Sequence, residues 1–284
     1  MELGKLGVWW SGSWKASDAS VDVAAELESF GYTTLWSSGG FGPGLSEHFE
    51  KLLRSTDKVV VASGIVSVWA SDPVDVGAAV DGLDERYPGR FLLGIGASHA
   101  PLVEDYSKPY SKVVRYLDAL DSQGPAAGRS RRILAALGDR MLRMSSARSL
   151  GAHPYFVPAS HTERARQILG TGPLLAPEVT VVLEADPKKA RQIARRFTAG
   201  YLGLTNYAQN IRTLGFDDDE LSDGGSDRLV DAVVCWGDAP TVARKVKEYY
   251  EAGADHVCIQ VLADSGDAFP LAEFRELAPA ILGT

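Results

Sequence analysis

Short apolar runs alternate with helical patterns from one end of the chain to the other. A run that leaves no room for a solvated face is typical of a strand buried on both sides in a parallel sheet. This pattern predicts eight strands, over residues 6–10, 33–37, 59–69, 91–95, 133–137, 151–157, 179–184 and 256–262. The segments between them carry apolar residues at helical spacing, as Val23, Leu27 and Phe30 do at i, i+4 and i+7.

Eight strand-helix units in 284 residues favour one closed parallel barrel over an open sheet. Both the count and the length match the α/β fold of the TIM (β/α)8 barrel. The stretch between the seventh and eighth strands, about 186–250, is too long for one crossover. We expect it to form a helical insertion that packs over the barrel mouth. Residues 1–284 are therefore predicted to form a single domain.

The acidic balance of the chain limits its partners. A formal net charge of -8 argues against nucleic acid or an anionic membrane as the main partner. The longest apolar run, 59–70, is interrupted by serine and glycine and is too short to span a bilayer. Cys235 and Cys258 lack the number and spacing of a disulfide framework or a zinc site, which favours two reduced, buried thiols. We expect a cytoplasmic protein without a metal site that acts on a small molecule.

The fourth predicted strand ends in small residues and one imidazole. Gly96, Ala97 and Ser98 leave backbone amides uncovered by large side chains, so that a flat or anionic ligand can come close. His99 follows them directly. Because the chemistry of a TIM barrel lies at the carboxyl ends of its strands, we predict that this strand end is the floor of an active site.

Four stretches in a common register extend over nearly the whole chain. They read ASGIVSVW at 62–69 followed by Asp72 and Pro73, RFLLGIG at 90–96, LAALG at 134–138 followed by Met141, and AGADHV at 252–257. Together they resemble the bacterial luciferase-like monooxygenase superfamily, and more closely its branch of oxidoreductases that depend on the deazaflavin coenzyme F420. The resemblance implies a TIM barrel whose third strand carries a bulge with a non-prolyl cis peptide behind the cofactor ring, here at Gly64–Ile65. A plain glycine kink at a barrel corner is the alternative.

The resemblance also implies where the cofactor lies. Its phosphate is expected at the ends of strands four and five, against the amides of residues 96–99 and the start of the helix that follows Gly138. Asp139, in the first turn of that helix, would repel a phosphate. The cofactor-binding residues that the resemblance implies are Ser63, Gly64, Ile65, Gly96, Ala97, Ser98, His99, Leu137, Gly138, Ala152 and His153.

Two of the five histidines follow strands on the catalytic face. His99 and His153 are therefore candidates for a proton donor or a substrate anchor near neutral pH, and His99 is the proposed catalytic proton donor. His48 and His161 fall near helix starts and are predicted to be solvated. His256 is predicted to be a structural hydrogen-bonding residue at the opposite face. Three further residues are predicted to line the substrate side of the site: Trp9, Ser38 and Trp69.

Two positions depart from the F420 dehydrogenases that the chain resembles. Several of those enzymes carry an Asp-His pair after strand two, where residues 37–40 of this chain read Ser-Ser-Gly-Gly. Their acidic residue after strand four is replaced here by Ala-Ser-His at 97–99. Their sugar-phosphate and alcohol dehydrogenase mechanisms therefore do not transfer, and the substrate stays open.

The hypothesis is an F420-dependent oxidoreductase that transfers a hydride between the deazaflavin and a small organic substrate, apolar or carbonyl-bearing. Two alternatives stay open, an FMN-dependent monooxygenase of the same superfamily and a non-catalytic protein that binds a flavin or F420. A TIM barrel of unrelated chemistry is a third. The resemblance further implies a homodimer.

Overall fold

Strands and helices alternate along the chain, as the apolar pattern predicts. The computed structural model describes residues 1–10, 19–39, 45–122, 127–263 and 269–283. The strands in these residues are β1 Leu6–Trp10, β2 Thr34–Ser37, β3 Val60–Ser63, β4 Val66–Ser67, β5 Phe91–Gly96, β6 Arg132–Leu134, β7 Gly151–Ala152, β8 Leu174–Leu175, β9 Glu178–Leu183, β10 Val234–Gly237 and β11 Val257–Val261. The α-helices are α1 Ala19–Ser29, α2 Leu45–Arg54, α3 Pro73–Arg86, α4 Pro109–Asp121, α5 Asp139–Arg148, α6 Ala159–Leu169, α7 Pro187–Leu202, α8 Thr205–Thr213, α9 Asp218–Leu221, α10 Asp227–Val233, α11 Ala239–Glu251 and α12 Leu271–Leu282.

The strands form one parallel sheet that curls back on itself. Its order is β10-β9-β11-β1-β2-β3-β5-β6-β7-β8, with β4 beside β5. Only Ala176 and Pro177 separate β8 from β9, and their backbones are hydrogen-bonded to the strands on either side. The amide of Ala176 donates to the carbonyl of Ala152, and the carbonyl of Pro177 accepts from the amide of Cys258. These bonds connect the segment between β8 and β9 to β7 on one side and to β11 on the other, which closes the sheet and confirms the predicted α/β barrel.

The apolar runs are buried on both faces because a layer of side chains fills the barrel and another lies under the helices. Successive residues of a strand point to opposite faces. In β3, Val60 and Ala62 belong to the cluster inside the barrel, whereas Val61 packs with the helices outside. The free thiols of Cys235 and Cys258 are both buried, as expected.

Three predicted strands are shorter than the apolar pattern suggests. The run at 133–137 keeps only its first two residues as strand, in β6. The run at 59–69 is divided into β3 and β4 by the peptide bond between Gly64 and Ile65, which is cis, as the resemblance implies. The run at 151–157 keeps only Gly151 and Ala152 as strand, because Pro154 has no amide hydrogen to continue a ladder.

The connection between β9 and β11 contains more than helices. Five helices, α7 to α11, occupy most of it within the described residues, and α7 and α8 extend over the carboxyl ends of the strands. The strand β10 was not predicted. It pairs with the carboxyl end of β9 from Thr180 to Leu183, and α11 then leads to β11. Across the described ranges, no helix combines the length and apolar character that a bilayer crossing requires.

We predict that Gly94→Ala destabilises the fold. A Cβ atom at this position of β5 would overlap the carbonyl oxygen of Ser63, which is backbone and cannot turn away. We expect the free energy of unfolding to fall by about 1–3 kcal/mol, measured by urea denaturation. Gly200→Ala is the matched control, since its Cβ would meet nothing within 4 Å on an exposed face of α7. The control should gain about 0.5–1 kcal/mol, and equal effects of the two substitutions would contradict the prediction.

Candidate functional site

A cavity of about 740 Å³ opens at the carboxyl ends of the strands. Its wall comes from the ends of β1, β5, β6 and β7, from the start of α5, and from α7 and α8. The predicted site residues that line it are Trp9, Ser38, Gly64, Ile65, Gly96, Ala97, Ser98, His99, Leu137, Gly138 and His153. The barrel thus brings together eleven residues from six separate parts of the sequence.

Three predicted site residues lie outside the cavity lining. The hydroxyl of Ser63 accepts from the amide of Gly94 at 2.8 Å and donates to its carbonyl at 3.1 Å, so it joins β3 to β5. The indole of Trp69 donates to the carbonyl of Ala97 at 2.7 Å and supports that loop from behind. Ala152 is fully buried in a small apolar cluster under α5 and α6.

Two glycines keep the floor of the cavity flat. They have no Cβ atom, so neighbouring side chains pack directly against the backbone. A Cβ atom on Gly64 would come within 2.5 Å of the ring of Trp9. One on Gly96 would come within 2.8 Å of Cδ1 of Ile65. The space at Gly96 is therefore filled by Ile65, whereas the sequence interpretation left it open for a ligand. The resulting surface, Gly64, Ile65 and Gly96, is called the flat wall below.

The start of α5 faces the cavity without a side-chain cap. Its N-cap residue is Gly138, which has no side chain to accept from the first amides of the helix, and a Cβ there would meet nothing within 4 Å. The carboxylate of Asp139 pairs with Arg164 at 2.6 Å. The guanidinium of Arg140 lies 4.1 Å from the ring centre of Tyr110 and has no carboxylate partner in the described part of the chain. Free amides, the helix dipole and one unpaired cation together favour an anion here.

His99 is held by α8. Its Nδ1 lies 3.0 Å from Oδ1 of Asn206, and its ring centre is 5.1 Å from that of Tyr207. Because an amide oxygen only accepts, Nδ1 carries the hydrogen, and in the neutral ring Nε2 is free to accept a proton. The predicted proton donor is thus a half-buried imidazole at the cavity edge with one oriented nitrogen.

His153 lies between two indoles. Its ring stacks on Trp36 at 4.2 Å and on Trp9 at 5.6 Å, and its Nδ1 donates to the carbonyl of Ala176 at 2.6 Å. Burial lowers the pKa of His153 to about 4. Nε2 has no partner within the described residues. At neutral pH the ring is therefore an uncharged acceptor and not a proton donor.

Four aromatic residues, Trp9, Tyr155, Tyr201 and Tyr207, form what we call the aromatic wall. The ring centres of Trp9 and Tyr155 are 4.9 Å apart, those of Tyr155 and Tyr201 5.2 Å, and those of Tyr201 and Tyr207 5.3 Å. Tyr155 donates to Oε1 of Gln260 at 2.6 Å and lies 2.8 Å from the hydroxyl of Tyr201. The sequence analysis missed all three tyrosines. Tyr155 follows the sixth strand and the strand-end rule could have found it, whereas Tyr201 and Tyr207 come from helices with no such signal.

A buried carboxyl group supports the aromatic wall from inside the barrel. Glu178 accepts from the amide of Phe156 at 3.2 Å and from the hydroxyl of Thr180 at 2.7 Å. Burial raises the pKa of Glu178 to about 7, although both hydrogen bonds favour the charged form. Phe156 has a positive φ of 55° and directly follows Tyr155. Glu178 therefore secures the turn that carries one residue of the aromatic wall.

The structure corrects two expectations about histidines and agrees with a third. His48 and His161 are buried, not solvated. His48 Nε2 lies 3.1 Å from the hydroxyl of Ser37, and His161 Nε2 lies 2.8 Å from the carbonyl of Leu137. His256 is structural, as predicted, because it bonds the indole of Trp36 at 3.2 Å and the carbonyl of Gly4 at 3.1 Å. A histidine near a helix start can face either way, and the apolar pattern did not separate the two cases.

The fold and the cavity are those of a barrel with a ligand site at the carboxyl ends of its strands, and one known family matches part of the sequence. The model of the luciferase-like monooxygenase family matches residues 10–122. The matched range contains the first two of the four stretches on which the resemblance rests, 62–69 and 90–96, and agrees with the luciferase-like superfamily. No curated protein matches the chain.

Several solved structures share the fold over almost the entire chain. An F420-dependent secondary alcohol dehydrogenase with an F420-acetone adduct has a TM-score of 0.76 and 14% identity, covering 99% of each chain. The F420-dependent tetrahydromethanopterin reductase of Methanopyrus kandleri has a TM-score of 0.72 and 14% identity, covering 100% of this chain and 99% of its own. The oxygenating constituent of 3,6-diketocamphane monooxygenase from Pseudomonas putida, in complex with FMN, has a TM-score of 0.70 and 15% identity, covering 97% of this chain and 96% of its own. At these sequence identities the similarity to the solved structures shows a shared fold and nothing further.

We predict that Glu178→Gln changes how stability depends on pH. The pKa of Glu178 is raised from 4.5 to about 7 in the folded state, so the unfolded chain loses this proton first as the pH rises. The wild type should therefore lose stability between pH 4.5 and 7, by about 2–4 kcal/mol relative to the variant. The amide keeps the shape, and it can accept from Phe156 while donating to Thr180. Urea denaturation of both proteins at several pH values measures this, and parallel curves would contradict it.

Proposed function

We propose that the chain is an F420-dependent oxidoreductase that transfers a hydride between the deazaflavin and a small organic substrate. One observation carries the proposal: a single cavity joins the flat wall to the uncapped, cationic start of α5. A planar ring with a phosphate on its side chain is a ligand that uses both features. Two of the similar structures are F420-dependent enzymes, which supports the choice of cofactor.

The residues of the cavity fit such a cofactor. Gly64, Ile65 and Gly96 would hold the ring, and the amides after Gly138 together with Arg140 would hold the phosphate. The sequence analysis noted that the carboxylate of Asp139 would repel a phosphate. Its pairing with Arg164 removes that objection, because the two charges balance and Arg140 remains.

Bound F420 supplies hydride transfer, and the chain supplies orientation, exclusion of water and the proton. Reduction of a carbonyl to an alcohol takes up one hydride and one proton. We assign that proton to Nε2 of His99 in the doubly protonated ring, since Nδ1 keeps its own hydrogen on Asn206 and the neutral ring remains after the transfer. In the opposite direction the same nitrogen accepts the proton that the alcohol releases. The aromatic wall keeps water from this end of the cavity.

An FMN-dependent monooxygenase is the second candidate. The family model is named for monooxygenases, and one similar structure contains FMN. The flat wall and the start of α5 would serve the ring and phosphate of FMN in the same way. The choice between the cofactors therefore rests on measurement of their binding.

We predict that F420 binds the purified protein more tightly than FMN and that Arg140→Met weakens this binding at least about tenfold. A hydrogen bond to a charged group contributes about 1.5–3 kcal/mol, which is a factor of about 10 or more. Isothermal titration calorimetry with F420 and, in parallel, FMN measures both affinities.

Arg244→Met is the matched control for this titration, because Arg244 lies on α11 outside the cavity and bonds Thr241. It should leave the affinity for F420 unchanged. Tighter binding of FMN would move the function to a monooxygenase. Binding of neither cofactor would overturn the proposal, and F420 binding without turnover of any substrate would favour a non-catalytic binder.

We predict that His99→Asn slows the oxidation of reduced F420 by a panel of aldehydes and ketones by about 10²–10⁴-fold. The loss follows from removal of the proposed proton source, whereas the ring and phosphate contacts stay in place. The affinity for F420, measured by calorimetry, should change less than twofold. A variant that loses affinity and keeps its turnover rate would show that His99 binds the cofactor and does not transfer the proton.

A further inference from the structure

We propose that the aromatic wall is the substrate subsite, and that the hydroxyl of Tyr207 donates to the carbonyl or alcohol oxygen of an uncharged substrate with an apolar ring. This inference rests on the proposed function and names its substrate class. It assigns the oxygen-binding role to a residue of α8 that the sequence analysis did not select.

The cavity is electrically divided. The charged side chains of its lining, Asp139, Arg140 and Arg164, all lie at α5 or on α6 beside it. The aromatic wall comes from other elements, β1, the turn after β7, α7 and α8. An anionic group of a ligand is therefore favoured at α5, and a charged group of either sign is disfavoured at the aromatic wall.

The three tyrosines of the aromatic wall are neutral at pH 7. Burial raises the pKa of Tyr155 and of Tyr207 well above the ordinary value, and raises that of Tyr201 to about 12. His153 beside them is uncharged because burial lowers its pKa. A carboxylate or ammonium group placed here would lose its hydration without gaining a counter-charge.

The hydroxyls of the wall differ in what they bond. Tyr155 donates to Gln260 and is bonded by Tyr201, so both of these hydroxyls are satisfied within the protein. The hydroxyl of Tyr207 has no hydrogen-bond partner in the residues that the structure describes, although Tyr207 lines the cavity and is 6% exposed. It is the hydroxyl of the wall that is left to donate to a ligand.

The position of Tyr207 connects this donor to the proposed chemistry. Its ring is 5.1 Å from that of His99, whose Nδ1 bonds the preceding residue, Asn206. One turn of α8 therefore orients the proton carrier and presents the free hydroxyl. A substrate oxygen that accepts from Tyr207 would lie beside the group that delivers the proton to it.

Three probes of similar size test the substrate class: acetophenone, ethylbenzene and benzoate. Each is titrated into the protein with and without saturating F420, with quenching of tryptophan fluorescence as the readout. We expect acetophenone to bind about three- to tenfold more tightly than ethylbenzene, because only the ketone accepts a hydrogen bond. In the titration with saturating F420, whose phosphate would occupy the start of α5, benzoate should bind at least about tenfold more weakly than acetophenone.

Tyr207→Phe should remove the advantage of acetophenone over ethylbenzene and keep the affinity for F420. Tyr250→Phe is the control, since its hydroxyl bonds the carbonyl of Lys5 outside the cavity, and it should keep the wild-type order. Benzoate binding as tight as acetophenone, or an unchanged preference in Tyr207→Phe, would overturn the inference. Titration without F420 separates this result from a failure of the proposed function, which concerns cofactor binding.

Discussion

The short segment that closes the barrel, residues 174–178, is the constraint on which the site depends. Its backbone bonds to the strand before it through Ala176 and to the last strand through Pro177. The same few residues also fix side chains, because the carbonyl of Ala176 accepts from His153 and the carboxyl of Glu178 accepts from the amide of Phe156. Without this closure, neither the ring of His153 nor the turn that carries Tyr155 of the aromatic wall would be held in one position.

Closure also explains why polar groups are buried at the centre of the molecule. A barrel interior is a packed core, so every polar side chain in it needs a partner or must lose its charge. His256 has two partners, the indole of Trp36 and the carbonyl of Gly4. His153 has one, and it lines the cavity. Burial removes the charge of both imidazoles by lowering each pKa to about 4. The two imidazoles at the centre are therefore neutral at pH 7, and the charged side chains that line the cavity lie at the start of α5 and on α6.

The sequence predicted the floor of the site because parallel strands bring their carboxyl ends to one edge, whatever the details of packing. The residues from 96 to 99 and Gly138 could be found in this way. Ser63 and Trp69 could not be distinguished from the lining residues, since their hydrogen bonds to Gly94 and to Ala97 depend on how the neighbouring strand and loop pack against them. The residues of α7 and α8 were missed for another reason. Their helical pattern predicts which face is buried but not that this face covers the cavity.

The pairing of His99 with Asn206 has a consequence for how the site treats charge. A carboxylate that accepted from Nδ1 of His99 would bring a negative charge to the reacting end. An amide oxygen orients the imidazole equally well by accepting from Nδ1, and it adds no charge. With the tyrosines of the aromatic wall neutral as well, a bound substrate would meet one mobile proton and no fixed ion at this end. Such an environment suits an uncharged oxygen that gains or loses a proton during the reaction. A fixed ion beside that oxygen would stabilise or oppose its developing charge before the proton moves.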